Sequence, residues 1–144
     1  MNTDKIYFEF DLERTPAEPA LNLRVLHNGT VVHELLSDQE HVKIEINDDD
    51  AQHELIIELL GKQSSHTQIN DQGDIVKDAV VTVSNIVVDD IDISDIFSEK
   101  SQYRHNFNGT GDQVTERFYS TLGCNGTVTV NFSTPIYLWL LENM

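Results

Sequence analysis

The chain has 144 residues, and 9 Lys and Arg against 25 Asp and Glu give it a net charge of −16. This length is typical of one domain with one core, so we predict a single domain over residues 1–144. The excess of carboxylates disfavours nucleic acid and anionic membranes as partners. No apolar run approaches the ~18 residues of a membrane span. The single cysteine, Cys124, excludes an internal disulfide.

Alternation of apolar and polar residues, the period of a β-strand, dominates the chain. It predicts strands over residues 6–12, 21–25, 30–36, 42–46 and 127–132. Asn28-Gly29 separates the second and third of these strands and predicts a tight hairpin turn. The run VVTVSNIVV at 80–88 has apolar residues on both faces and predicts a further strand, which is either central and covered on both sides or carries a bulge near Ser84-Asn85.

The secondary structure of three other segments, and one more turn, can also be predicted from the sequence. The segment 53–62 (HELIIELLGK) fits a strand or a helix, and its length and flanking turn favour a strand. Val114, Phe118 and Leu122 are four residues apart and predict a short helix. Residues 136–141 are predicted to form the last strand, and Asn125-Gly126 another tight turn.

About nine short strands with turn signals every 8–12 residues predict an all-β fold. We expect an antiparallel β-sandwich of jelly-roll type, with at most one or two short helical turns.

Sequence motifs of catalysis do not occur in the chain. There is no G-x-S-x-G elbow, no phosphate-binding glycine loop and no H-E-x-x-H. Cys124 has no cationic neighbour in sequence that would lower its pKa. We therefore predict that the protein is not an enzyme.

Carboxylates are concentrated near the end of the 80–88 strand, at Asp89, Asp90 and Asp92. Calcium prefers several loop carboxylates and carbonyl oxygens, and it would relieve the repulsion between like charges. The sequence therefore predicts a calcium site here, with solvated loop charge as the alternative.

Aromatic and amide side chains indicate sugar binding, because sugar rings stack on aromatic rings and their hydroxyls pair with polar groups. Tyr103, His105 and Phe107 alternate beside Asn108 in YRHNFNGTGD, and Tyr137 and Trp139 would share one face of the predicted last strand. These six residues are the predicted carbohydrate site. For Trp139 the alternatives are a place in the core or in a contact between subunits.

Several of these segments also carry a resemblance to known families. HELIIELLGK, the following His66-Thr67 and the strand ending in VVDDIDI resemble jelly-roll carbohydrate-binding modules. HNFNGT, GCNGT and STPIYLWLLEN resemble small acidic proteins encoded by tailed phages of marine cyanobacteria. The xylan-binding modules use a loop calcium site, although here no glycine follows Asp89 as their pattern expects. The resemblance implies a viral, non-enzymatic β-sandwich.

Together these observations predict a phage-encoded module that binds polysaccharide without catalysis. The alternative is a structural or decoration protein of a virion, forming a homo-oligomer through its C-terminal strand. The start of the chain shows no secretory signal, so we expect the protein in the virion or in the host cytoplasm.

Overall fold

A computed structural model describes residues 5–143 of the chain. Residues 1–4 and Met144 lie outside the described residues. The N-terminal segment in which the sequence shows no secretory signal is therefore described only from residue 5 onward. The described elements are β1 (Lys5–Arg14), β2 (Asn22–His27), β3 (Thr30–Glu34), β4 (Gln39–Asn47), β5 (Gln52–Leu60), β6 (Thr67–Ile69), β7 (Ile75–Asp78), β8 (Val81–Val88), β9 (Ile91–Asp92), α1 (Ser94–Lys100), β10 (Gln102–His105), β11 (Val114–Arg117), β12 (Thr121–Leu122), β13 (Gly126–Ser133) and α2 (Ile136–Asn143). Short 3₁₀ turns occupy Ser64–His66 and Phe107–Gly109.

Two antiparallel sheets form the body of the molecule. The first has the strand order β12-β8-β1-β4, with β9 paired to β8, and the second has the order β11-β10-β13-β5-β2-β3. Strands β6 and β7 form a separate hairpin. The two described α-helices are only 7 and 8 residues long. The predicted all-β antiparallel sandwich with short helical turns is therefore confirmed.

The core lies between the two sheets because each strand turns one apolar face inward. Strand β1 buries alternate residues, including Phe8 and Phe10, and β5 does the same with Leu55 and Ile57. The Phe8 ring centre lies 6.0 Å from that of Phe132 on the opposite sheet. The strands predicted at 6–12 and at 53–62 are confirmed, since the period-two pattern identifies the buried face.

The predicted turn and bulge are both present. Asn28 and Gly29 have φ values of 49° and 85°, which a tight hairpin turn requires of both central residues. In the pairing of β1 with β8, Glu9 is opposite Val87 but Asp11 is opposite Ser84. Strand β8 therefore carries one extra residue, and Asn85 takes a left-handed φ of 53° there.

The last predicted strand, 136–141, is wrong, because these residues lie in helix α2. Ile136 and Leu140, one helical turn apart, are its buried residues. The Trp139 amide donates to the Pro135 carbonyl at 3.3 Å, which begins the helical hydrogen bonding directly after the proline. A segment that is apolar on every side has no period that separates strand from helix, and packing decided its conformation.

The short helix predicted from Val114, Phe118 and Leu122 is also wrong. Val114 lies in β11, which pairs with β10, and Leu122 lies in β12, which pairs with β8. Phe118 and Leu122 are buried in the core, each reached by an extended segment. Pairing with two different sheets overrides the four-residue spacing.

Gly126 is not part of the predicted Asn125-Gly126 turn but begins β13. A Cβ atom at this position would lie 2.2 Å from the Arg104 carbonyl oxygen on β10. The glycine therefore allows two strands to approach closely. The Asn125 side chain instead accepts a hydrogen bond from the Lys62 amide at 2.8 Å. Within residues 5–143, no helix is long and apolar enough to span a membrane.

Candidate functional site

Two depressions lie beside the β8 bulge, and together we call them the bulge groove. One part, a depression of about 310 Å³, lies between the bulge, α1 and residues 118–120. A second part, of about 400 Å³, lies over β1 and β4. Ser84 and Asn85 line both parts, so the two parts lie next to each other at the bulge.

A hydrogen-bonded network forms the floor of the groove over β1 and β4. Asn85 Nδ2 donates to Asp11 Oδ2 at 2.8 Å. His41 Nδ1 lies 2.6 Å from Asp11 Oδ1, and His41 Nε2 lies 2.9 Å from Glu9 Oε1. Glu9 and Asp11 project from the same face of β1 because they are two residues apart. Residues from three strands therefore hold one another in fixed orientations.

This network favours the charged form of His41. Ionised carboxylates only accept hydrogen bonds, so both ring nitrogens must carry a proton to satisfy Asp11 and Glu9. The hydrogen bonds to Asp11 and then to Glu9 accordingly raise the pKa of His41. The pKa of Asp11 is lowered by its hydrogen bonds with Asn85 and His41.

We expect an NMR titration to place the pKa of His41 above about 6.5, the ordinary value for histidine. Asp11→Asn should lower this pKa more than Glu9→Gln does, because the Asp11 hydrogen bond is the larger cause of the shift. If neither substitution moves the titration of His41, the network does not exist in solution.

Hydroxyl groups and three aromatic rings line the other part of the groove, and of these rings Phe97 and Phe118 are buried in the core whereas Tyr119 is exposed. Ser94 and Ser98 of α1, together with Ser120, lie along this part. Ser98 Oγ donates to the Phe118 carbonyl at 2.8 Å, and Ser94 Oγ accepts from the Ile86 amide at 3.3 Å. Tyr119 is 72% exposed at the edge. The groove thus combines an accessible aromatic ring with hydroxyl, amide and carboxylate groups.

The Arg117 side chain lies over the Tyr119 ring. Its guanidinium carbon lies 5.2 Å from the ring centre, within the range of a cation–π contact. Such a contact restricts the ring while leaving most of its surface accessible, which reduces the entropy lost when a ligand stacks on it.

Tyr103 and His105, two of the predicted sugar-binding residues, lie inside the protein. Tyr103 is only 7% exposed, and its hydroxyl donates to the Cys124 carbonyl. Burial raises the pKa of Tyr103 to about 12. His105 is also buried and contacts Glu116 at 2.9 Å. Their shared strand face is the inward one, so neither ring is available on the surface.

Phe107 and Asn108 are the predicted sugar-binding residues that this loop exposes. Phe107 is 45% exposed, and its ring covers His105 edge-to-face at 4.8 Å. Asn108 Oδ1 accepts from the Asn125 amide at 2.7 Å. Both residues have a left-handed φ in the 3₁₀ turn. Their sugar-binding role stays a prediction.

Tyr137 and Trp139 do not form the single platform predicted for them. In helix α2, residues two apart point in widely different directions, whereas in a strand they share a face. Tyr137 is 52% exposed, and its hydroxyl donates to Asp89 Oδ2 at 3.2 Å. Trp139 is half-buried, edge-to-face with Phe132 at 6.2 Å, so it covers the core.

Asp89 and Asp90 form the two-residue turn between β8 and β9, with φ values of 47° and 67°. Asp89 Oδ1 accepts from the Tyr7 amide at 2.9 Å, and Asp92 Oδ1 accepts from the Ser94 amide at 2.8 Å. Across residues 5–143, no three His, Cys, Asp or Glu side chains converge as metal ligands. Calcium binding at these positions stays a prediction.

A second polar cluster joins His27, His53 and Asp49 at another part of the molecule. His53 is buried and stacks between His27 and Phe132, with ring centres 5.1 and 5.3 Å away. Its Nε2 lies 2.9 Å from Asp49 Oδ1, and its Nδ1 lies 2.9 Å from His27 Nε2.

The ionisation state of Asp49 determines which ring nitrogen of His53 donates to it. Its hydrogen bond with His53 lowers the pKa of Asp49, so the carboxylate is ionised and only accepts. His53 therefore donates from Nε2 to Asp49, and a single proton lies between His53 Nδ1 and His27 Nε2.

Burial lowers the pKa of His27. The folded state therefore favours neutral His27, and its contribution to stability is complete above about pH 6.5 and decreases as the pH falls below that value. His27→Gln retains a donor for His53 but cannot titrate. We expect the melting temperature of this variant to fall less than that of the parent between pH 7.5 and 5.5. Equal decreases would contradict the assignment.

Comparison with protein-family models, with curated proteins and with solved structures gives no match. The resemblance to carbohydrate-binding modules and phage proteins therefore stays a prediction.

Asp11, His41, Asn85 and Tyr119 of the bulge groove were not among the predicted site residues. One sequence signal did point there, namely the Ser84-Asn85 interruption of an otherwise β-branched run. Bulges are enriched beside functional sites because they redirect side chains out of the regular sheet.

Proposed function

We propose that the protein binds a polysaccharide without catalysis, through the bulge groove. The observation that carries this proposal is the exposed Tyr119 ring beside two adjacent depressions that present hydroxyl, amide and carboxylate groups. A sugar ring offers an apolar face for stacking and hydroxyl groups for hydrogen bonds, and the groove supplies partners for both.

The hydrogen bonds within the groove support a role in binding. Two of the three carboxylates on β1, Glu9 and Asp11, form hydrogen bonds with His41, and Asp11 also accepts from Asn85. Groups fixed in this way present a preorganised hydrogen-bonding surface, which reduces the entropy lost on binding. The acidic lining favours neutral or amino sugars over sulfated or uronic ones.

The test is a glycan array probed with the parent and with Tyr119→Ala. We expect Tyr119→Ala to weaken binding about tenfold or more, because a stacking contact is lost. Tyr137→Ala is the comparison variant, since Tyr137 is also exposed and was itself predicted to bind sugar, but it does not line the groove. If the groove is the site, binding by Tyr137→Ala should equal that of the parent.

Two further arms test the sequence-based predictions. Phe107→Ala examines the loop around Asn108, and arrays run in calcium and in a chelator examine the calcium prediction. If no glycan binds the parent, or if Tyr119→Ala and Tyr137→Ala behave alike, the bulge groove is not a sugar site.

A second candidate function is a structural role in an assembly such as a virion, through protein–protein contact. The observation that favours it is the exposure of Tyr137, Leu138 and Leu141 on helix α2. Exposed apolar side chains that lie together often mark interaction surfaces. The homo-oligomer predicted through a C-terminal strand would use this helix instead.

A further inference from the structure

An apolar depression of about 450 Å³ lies between helix α2 and the β9–α1 segment. Tyr137 and Leu141 of α2 line it on one side and Ile91 and Ile96 on the other. We call these four residues the α2 apolar surface. Leu141 is 71% exposed, although it is large and aliphatic.

A second depression of about 540 Å³ lies next to the first along α1, and we call it the acidic channel. Asp92, Asp95 and Glu99 line the channel, and Asp92 and Ile96 line both features. Asp95 and Glu99 are four residues apart on α1, a spacing at which like charges repel. No Lys or Arg is among the described residues that line either feature.

A carboxylate also lies at the other side of the α2 apolar surface. The Tyr137 hydroxyl contacts Asp89, and the charge of Asp89 is the largest cause that raises the pKa of Tyr137. The apolar surface therefore has carboxylates on both sides.

Electrostatic repulsion favours another protein over a second copy of this chain as the partner at this surface. A two-fold contact would place each α2 apolar surface against its own copy, and the acidic channels would face each other. Each chain carries a net charge of −16, so such a contact is opposed electrostatically. A basic segment would instead complement the channel while its apolar side chains fill the depression.

We propose that the α2 apolar surface and the acidic channel dock a basic amphipathic segment of another protein. This inference rests on the second candidate function, protein–protein contact, and is independent of glycan binding. The partner would present apolar side chains at Leu141 and Tyr137 and Lys or Arg side chains at Asp95 and Glu99.

The experiment uses a fluorescent amphipathic peptide of Leu and Lys, titrated with the full chain and followed by anisotropy. A peptide with Glu in place of Lys is the charge control. Leu141→Glu should weaken binding of the Lys peptide about tenfold or more, because an apolar contact is replaced by a charge. Leu36→Glu is the matched control, since Leu36 is 83% exposed on a different part of the chain and the charge change is identical.

A double substitution, Asp95→Asn with Glu99→Gln, should make binding less dependent on salt. Sedimentation of the parent and of Leu141→Glu provides the second readout. Equal binding by Leu141→Glu and Leu36→Glu would overturn the docking site. A parent dimer that Leu141→Glu dissociates would overturn the basic partner but keep protein–protein contact. A monomeric parent that does not bind the Lys peptide would overturn both the basic partner and protein–protein contact through this surface.

Discussion

Phe8→Ala is expected to lower the free energy of unfolding by about 3–5 kcal/mol. The ring lies at the centre of the sandwich, fully enclosed, and contacts Phe132 of the opposite sheet and Phe97 of α1 at 6.0 and 6.2 Å between ring centres. Alanine would leave a cavity between three elements that cannot collapse together without breaking strand pairing.

Chemical denaturation measures this loss, with Tyr7→Ala as the control. Tyr7 is the adjacent residue of β1 and points to the opposite face, where Lys43 Nζ lies 4.5 Å from its ring centre. We expect Tyr7→Ala to lower the free energy of unfolding by only about 1 kcal/mol. Equal losses for the two substitutions would mean that β1 does not present Phe8 to the core.

Lys62→Met is expected to lower the free energy of unfolding by about 3–5 kcal/mol. The buried ammonium group of Lys62 donates to Asp78 Oδ1 at 2.6 Å, to the Ala79 carbonyl at 2.6 Å and to the Gly123 carbonyl at 2.7 Å. All three ammonium donors are therefore used. Methionine has a similar length, but it would remove the cationic partner of Asp78 and leave the Ala79 and Gly123 carbonyls without the ammonium donor.

Lys77→Met is the control for this experiment, because Lys77 lies on β7 beside Asp78 and is exposed. We expect that control to change the free energy of unfolding by less than about 0.5 kcal/mol. A comparable stability of the two methionine variants, measured by denaturant unfolding at one pH, would show that Lys62 is solvated rather than enclosed.

The sugar site shows what alternation alone cannot decide. Tyr103, His105 and Phe107 alternate as an exposed aromatic platform would, but an inward face has the same period. Strand β10 pairs between β11 and β13, and in that position its Tyr103 and His105 side chains point into the core. In the bulge groove, by contrast, His41 and Asn85 meet Asp11 only because β4 and β8 flank β1.

The sequence by itself determined that the protein is an all-β sandwich, and it determined which face of the long strands is buried. It did so because a shift of one residue would expose the entire apolar set of β1, β4 or β5 to water. The Asn28-Gly29 turn and the Ser84-Asn85 bulge were also readable, since each needs a backbone conformation that few residues adopt.

Only the tertiary structure decided the conformation of residues 114–122 and 136–143 and the composition of the candidate site. The C-terminal segment is apolar on all sides, so burial of Ile136 and Leu140 against the sandwich selected a helix over a strand. The bulge groove depends on strand order and register, which bring residues 30 and 74 positions apart within hydrogen-bonding distance of Asp11. Contacts of that separation leave no local pattern in a single sequence, because they are fixed by the packing of the whole sheet.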